Sequence, residues 1–352
     1  MKSKLLGISI LIIMVLTGTG YFFYRQDTTV TTLNGYLGGE KIGLFEDEEI
    51  QKILKKNYHL TMDYSRAGSL DMITADMEGR NYLFPSSQTA LEYYQELYGN
   101  SVSDEIIFNT PIVLYTHKIV ADALVKNGIV TCTDGIYYAD MKKFTQLLLE
   151  DKQWSDLGLS QLYGNITVDT TDPARSNSGN MFAALLANVL NNGKTVDAPS
   201  AEALLPSLQK IFSQLGYMET SSSDLFHQFM GTGVGAKPII AGYENQLLEY
   251  ATENPKDFEK VKDDIIILYP TPTVWSTHIY IALDEKGKKG IEALSDKKIQ
   301  ELAWQKHGFR TNQYEINSED KESSVTGVPK EITSAINLPA YDAMKKIIEG
   351  LK

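Results

Sequence analysis

The residues best suited to chemistry lie in one polar turn, Asp172-Pro173-Ala174-Arg175-Ser176-Asn177-Ser178-Gly179. Hydroxyl and amide side chains gather there just before Met181, Leu185, Leu186, Val189 and Leu190, which follow at helical spacing. A helix start carries unpaired backbone N–H groups and partial positive charge, so it suits an anion or a polar oxygen. Gly179 lets backbone come close to whatever sits there. The same residue types also serve as ordinary helix caps. Two further turns add weight. Ser65-Arg66-Ala67-Gly68-Ser69 follows the alternating Leu60–Tyr64 and opens a helix bearing Leu70, Ile73 and Met77, with Ser69 at its cap. Pro85-Ser86-Ser87-Gln88 follows Tyr82–Phe84 and opens a helix with Leu91 and Tyr94.

Other groups admit two readings. Gly38-Gly39-Glu40-Lys41 is either a loop where backbone approaches a ligand or a simple turn. Tyr243, after the strand-like Pro238–Ile240, could close over a ligand and donate its hydroxyl. Glu244 could cap the helix that follows or accept from a cationic ligand. Trp275 follows the Pro270–Pro272 stretch and could lie at a cleft. Signs of catalysis are lacking: there is no G-x-S-x-G elbow and no H-E-x-x-H. Gly231–Lys237 imitates a phosphate loop, but Pro238 stands where Ser or Thr is needed, so it reads as a flexible loop. Cys132 is the single cysteine and the five histidines are scattered, which leaves no disulfide and no zinc spacing. The expectation is a protein that is not an enzyme and holds no cofactor or metal.

Strands alternating with helices must position these turns, which argues for an α/β fold rich in parallel pairing. Ligands then bind beyond the carboxyl ends of the strands, where the serine-bearing turns lie. Two apolar runs, Glu105–Thr116 and Ile265–Thr273, exceed the length of one buried strand and carry the chain between two lobes. The division expected is residues 26–112 and 269–352 for lobe 1, and 113–268 for lobe 2. The chain has 352 residues, 43% hydrophobic and 22% charged, enough for two cores. Its net charge of −12 argues against a nucleic-acid partner. Residues 1–25 read as a membrane anchor or signal peptide. Lys2 and Lys4 precede Leu5–Phe23, which just reaches the roughly 17–25 residues that span a bilayer. Tyr21–Arg25 resembles an interfacial belt, which favours an uncleaved anchor with the body outside the cell; cleavage would leave a secreted protein.

The pattern resembles the extracellular solute-binding proteins of the type II periplasmic-binding-protein fold, with the molybdate and sulfate binders as the closest sub-pattern. The resemblance rests on Asp172–Gly179 leading into a helix, on Leu268-Tyr269-Pro270 followed by Ile279–Leu283, and on Lys306-His307-Gly308-Phe309-Arg310. Leu33–Leu44, Gly68-Ser69 and Pro238–Glu249 look like loops of Gram-positive members. It covers about residues 33–310. It implies two lobes of mixed sheets flanked by helices, hinged on two crossover strands, and capture of a small polar, anionic ligand for an ABC importer. The alternative is a membrane-anchored sensor or adaptor without a transport role. Carried over by position, ligand contacts fall at Gly39, Glu40, Lys41, Gly68, Ser69, Ser86, Ser87, Ser176, Asn177, Ser178 and Tyr243. Arg66 and Arg175 depart from the usual oxyanion-binding turns. With Arg175 or Lys41 supplying charge, a carboxylate, phosphorylated or zwitterionic ligand fits as readily as molybdate.

Overall fold

The structure, a computed structural model, describes residues 13–15, 17, 29–311 and 325–352. Most of the expected N-terminal anchor lies outside the described residues. Among those described, no helix is long and apolar enough to cross a membrane.

Two mixed sheets share one long strand. In the first, β1 (Thr31–Leu37) pairs in parallel with β2 (Leu60–Arg66) and β3 (Tyr82–Phe84). Strand β4 (Ser103–His117) and β9 (Trp275–Ala282) complete it in antiparallel fashion. The second sheet takes the far half of β4, flanked by β7 (Ile239–Tyr243) and β8 (Ile265–Thr271), both antiparallel to it. Beyond β8 lie β6 (Ile136–Asp140), parallel to β8, and β5 (Val130–Thr133), antiparallel to β6. The fifteen residues of β4 therefore serve both lobes, and β8 and β9 make the second crossing through Pro272–Val274. The first apolar run is long because β4 is buried in two sheets in succession; the second is β8 in the second sheet plus the start of its connection to β9.

Each sheet is covered on both faces. In the first lobe one face packs Leu37, Phe45, Phe84 and Phe108, and the other Met72, Leu91 and Ile281. In the second lobe one face packs Leu114, Phe144 and Phe182, and the other Tyr115, Phe229 and Leu247. The helix Asn177–Leu190 is buried at every position from Asn177 to Val189. A helix apolar all round belongs in a core, and this one is the spine of the second lobe, so its first turn is held rigidly.

Three expectations change. The helix after Gly68-Ser69 is a single turn, Asp71–Thr74, capped by Leu70 and not by Ser69. Strand–helix alternation calls for a strand before Asp172, but that stretch forms only an isolated bridge from Asp169 to Ile240. The final helix, Tyr341–Gly350, buries Met344, Ile347 and Ile348 in the core of the second lobe, while Tyr341 stacks on Tyr93 of the first at 4.7 Å.

Candidate functional site

The parallel strands β1, β2 and β3 end in register, Leu37 beside Arg66 and Phe84. Their carboxyl ends deliver Gly38–Lys41, Arg66–Ser69 and Ser86-Ser87 to one edge of the first lobe, the usual ligand edge of an α/β sheet. The second lobe faces them with the starts of helices Asn177–Leu190 and Ser222–Gly231 and with Tyr243 at the end of β7. Between them lies a polar cleft of about 390 Å³. Gly39, Glu40, Gly68, Ser69, Arg175, Ser176, Asn177 and Tyr243 line it.

The helix start at Ser176 differs from its neighbours. Asp47, Ser87, Asp197 and Ser221 each accept a backbone N–H at the head of their helices. Ser176 makes no such bond. Its hydroxyl lies 3.2 Å from that of Ser178, which in turn lies 2.7 Å from Thr171. Asn180 is the first residue whose N–H finds an intrahelical carbonyl, that of Ser176. The first-turn amides are thus available at the cleft wall. Arg175 is exposed beside them, and among the described residues its guanidinium makes no ion pair. Gly179 serves a different end from the one its turn suggests. A Cβ there would overlap the Thr171 carbonyl oxygen, so the glycine lets the helix sit against the chain's own backbone.

A buried ionic cluster stands on the opposite wall. Lys41 is fully buried and donates to Glu40 Oε1 at 2.5 Å and to Ser86 Oγ at 2.6 Å, with His278 Nδ1 at 3.1 Å. Ser86 also donates to Glu40. Burial alone would raise the Glu40 carboxyl, but the Lys41 charge, His278 and these hydrogen bonds hold it at about 2. Burial and the Lys41 charge keep the His278 imidazole well below its ordinary value, and so neutral. The charge expected of Lys41 is spent on Glu40, which itself faces the cleft.

The remaining anticipated residues divide. Asn177 donates to the Ser86 carbonyl at 2.9 Å and to the Tyr243 hydroxyl at 3.0 Å, joining the lobes across the cleft floor. Tyr243 is buried, and its burial, with the Glu40 charge, raises its phenol well above the ordinary value, so it stays a neutral donor. Ser69 accepts from the Ser86 N–H, and Ser87 caps the helix Gln88–Tyr98. Ser86, Ser87 and Ser178 support the wall from behind. Trp275 lines a separate cavity of about 590 Å³ at the crossing, which holds none of the ligand contacts that the resemblance implies. Glu244 is fully buried and takes both arms of Arg310 at 2.6 and 2.8 Å, so it has a partner within the chain. Asp71, Ser221 and Asp224 line the cleft unanticipated. The spacing Ser221-x-x-Asp224 before an apolar run is a helix-start signature that marks the last two.

The sequence matches no family model and no curated protein. Solved structures do match. A periplasmic thiamin binding protein aligns with a TM-score of 0.62 at 10% identity, over 91% of this chain and 95% of that one. An extracellular solute-binding protein from Bordetella parapertussis aligns at 0.59 and 10% identity, over 91% and 96%. The sulfate-binding protein of Mycobacterium tuberculosis aligns at 0.53 and 15%, over 81% and 87%. The chain has the two-lobed type II fold of the extracellular solute-binding proteins.

Proposed function

We propose that this chain is an extracytoplasmic solute-binding protein that captures a small polar ligand with an anionic group and delivers it to an ABC importer. The observation that carries the reading is the uncapped helix start at Ser176, with Arg175 beside it, opening into a cleft walled by both lobes. Backbone N–H groups and a guanidinium are the donors an anion needs. Hinge closure is a known use of two-lobed architecture, and the bond from Asn177 to Ser86, which joins the two walls at the cleft floor, supports enclosure of a ligand. The fold neighbours, ABC-type substrate-binding proteins among them, support the transport role. The N-terminal lysines and apolar stretch support tethering at the outer face of the membrane.

Arg175 provides the test because it is exposed and makes no ion pair among the described residues. A thermal-shift screen of oxyanions, organic phosphates and carboxylates identifies a binder. Arg175→Ala should then weaken that binder about tenfold or more, close to 1.4 kcal/mol, with the ligand-free melting temperature unchanged. Unaltered affinity in this variant would reject the turn as the anion site.

A further inference from the structure

The cleft carries acceptors as well as donors. Asn177 is 8% exposed, and its amide nitrogen is committed to the Ser86 carbonyl and the Tyr243 hydroxyl. That fixes the amide orientation and leaves Asn177 Oδ1 buried without a hydrogen-bond partner among the described residues. A buried orphan acceptor is costly, and a bound donor would remove that cost. Glu40 lines the same cleft at 8% exposure. Lys41 and Ser86 both engage its Oε1, and no hydrogen bond to its Oε2 is present among the described residues. Asp71 adds a second carboxylate to the lining, with no ion pair among the described residues. A wholly anionic ligand would meet repulsion from these carboxylates and would leave Asn177 Oδ1 unsatisfied. A wholly cationic one would meet Arg175 and the helix start.

We infer that the ligand is a zwitterion, whose anionic group meets Arg175 and the helix start while its ammonium or N–H donor meets Asn177 Oδ1 and Glu40. This rests on the solute-binding reading and narrows it. The Glu40 carboxylate stays ionised far into the acid range, so it accepts at every physiological pH. Binding a matched zwitterion satisfies the orphan acceptor, and binding the corresponding simple anion does not.

The test uses the full chain and three matched pairs: β-alanine with propionate, taurine with ethanesulfonate, and 2-aminoethylphosphonate with ethylphosphonate. Affinities are measured by calorimetry. At least one zwitterion should bind tenfold or more tightly than its partner. Anion binding with a ratio below tenfold in every pair overturns the zwitterion and leaves the anion-capture reading standing. No binding by any of the six probes overturns both. Glu40→Gln should lower the ratio toward unity without abolishing anion binding; a folded variant with an unchanged ratio removes Glu40 from the cationic pole. The ratio in the unaltered chain decides the matter if that variant fails to fold.

Discussion

At the scale of single residues the unusual investment is the buried set Glu40, Lys41, Ser86 and His278. Taking two charges out of water is costly, and removing one partner of such a pair costs about 3–5 kcal/mol because the other is stranded. Here the pair fixes a carboxylate at the cleft wall in one orientation. The arrangement also sets a pH dependence. Folded Glu40 holds its proton off down to about 2, against 4.5 for an ordinary glutamate. Its contribution is therefore complete above about 4.5 and disappears as pH falls through about 2. His278 acts higher up. It stays neutral when folded, whereas the unfolded imidazole takes a proton near 6.5. The unfolded chain thus binds more protons below that value, and stability falls with falling pH by up to about 1.4 kcal/mol per unit from this group. Urea unfolding between pH 7.5 and 4.5 should show that fall, and His278→Gln should flatten its upper part. An equally steep limb in the variant would assign the acid sensitivity elsewhere.

At the scale of elements the helix Asn177–Leu190 joins stability to the site. Its apolar body anchors the second lobe, and its first turn forms the cleft wall. Gly179 is the joint between these roles, because a side chain there would collide with the Thr171 carbonyl. Gly179→Ala should cost about 1–3 kcal/mol as an overpacking change, despite the better helix propensity of alanine. It should weaken ligand binding as well, since the first-turn amides must shift. A variant that melts like its parent and binds equally well would show that the backbone yields there at little cost. Much of this level was legible in the sequence. Helical spacing located the spine, and the length of the first apolar run fits a strand shared by both sheets. What was not legible depends on distant partners. Ser69 looks like a cap, yet its hydroxyl is claimed by the Ser86 N–H. Glu40-Lys41 looks like a charged loop, because nothing local reveals that His278 and Ser86 close over it. The last helix shows an apolar face in sequence, but not which core receives it.

At the scale of the whole molecule, two of the ties between the lobes differ in character. Next to the crossing, Arg310 pairs with Asn109 of β4 through the backbone and grips Glu244 with both arms. Tyr269 also donates to Glu244, at 2.8 Å, and the Pro329 and Lys330 carbonyls accept from Nη2 and Nη1 of Arg310. This tie is buried and satisfied, and its position beside the crossing means that hinge opening need not break it. The second tie lies at the cleft mouth. Arg66, at the end of β2, donates to the Ser221 hydroxyl and lies 3.4 Å from Asp224 across the gap. Its partners are half exposed, 45% for Arg66 and 52% for Asp224, so the pair contributes about 0–1 kcal/mol. An opening motion must break it. Arg310→Ala should therefore destabilise the fold by about 3–5 kcal/mol, the cost of an uncompensated buried Glu244. Arg66→Ala should leave the melting temperature almost unchanged and move the ligand-free molecule toward the open form. A change of about 1 kcal/mol alters the open-to-closed ratio roughly fivefold. Spin labels placed one on each lobe would read this as a longer mean distance in the variant, restored by saturating ligand. A distance distribution identical to that of the parent would mean that Arg66 does not hold the lobes together, and that closure rests on the cleft floor, where Asn177 meets Ser86.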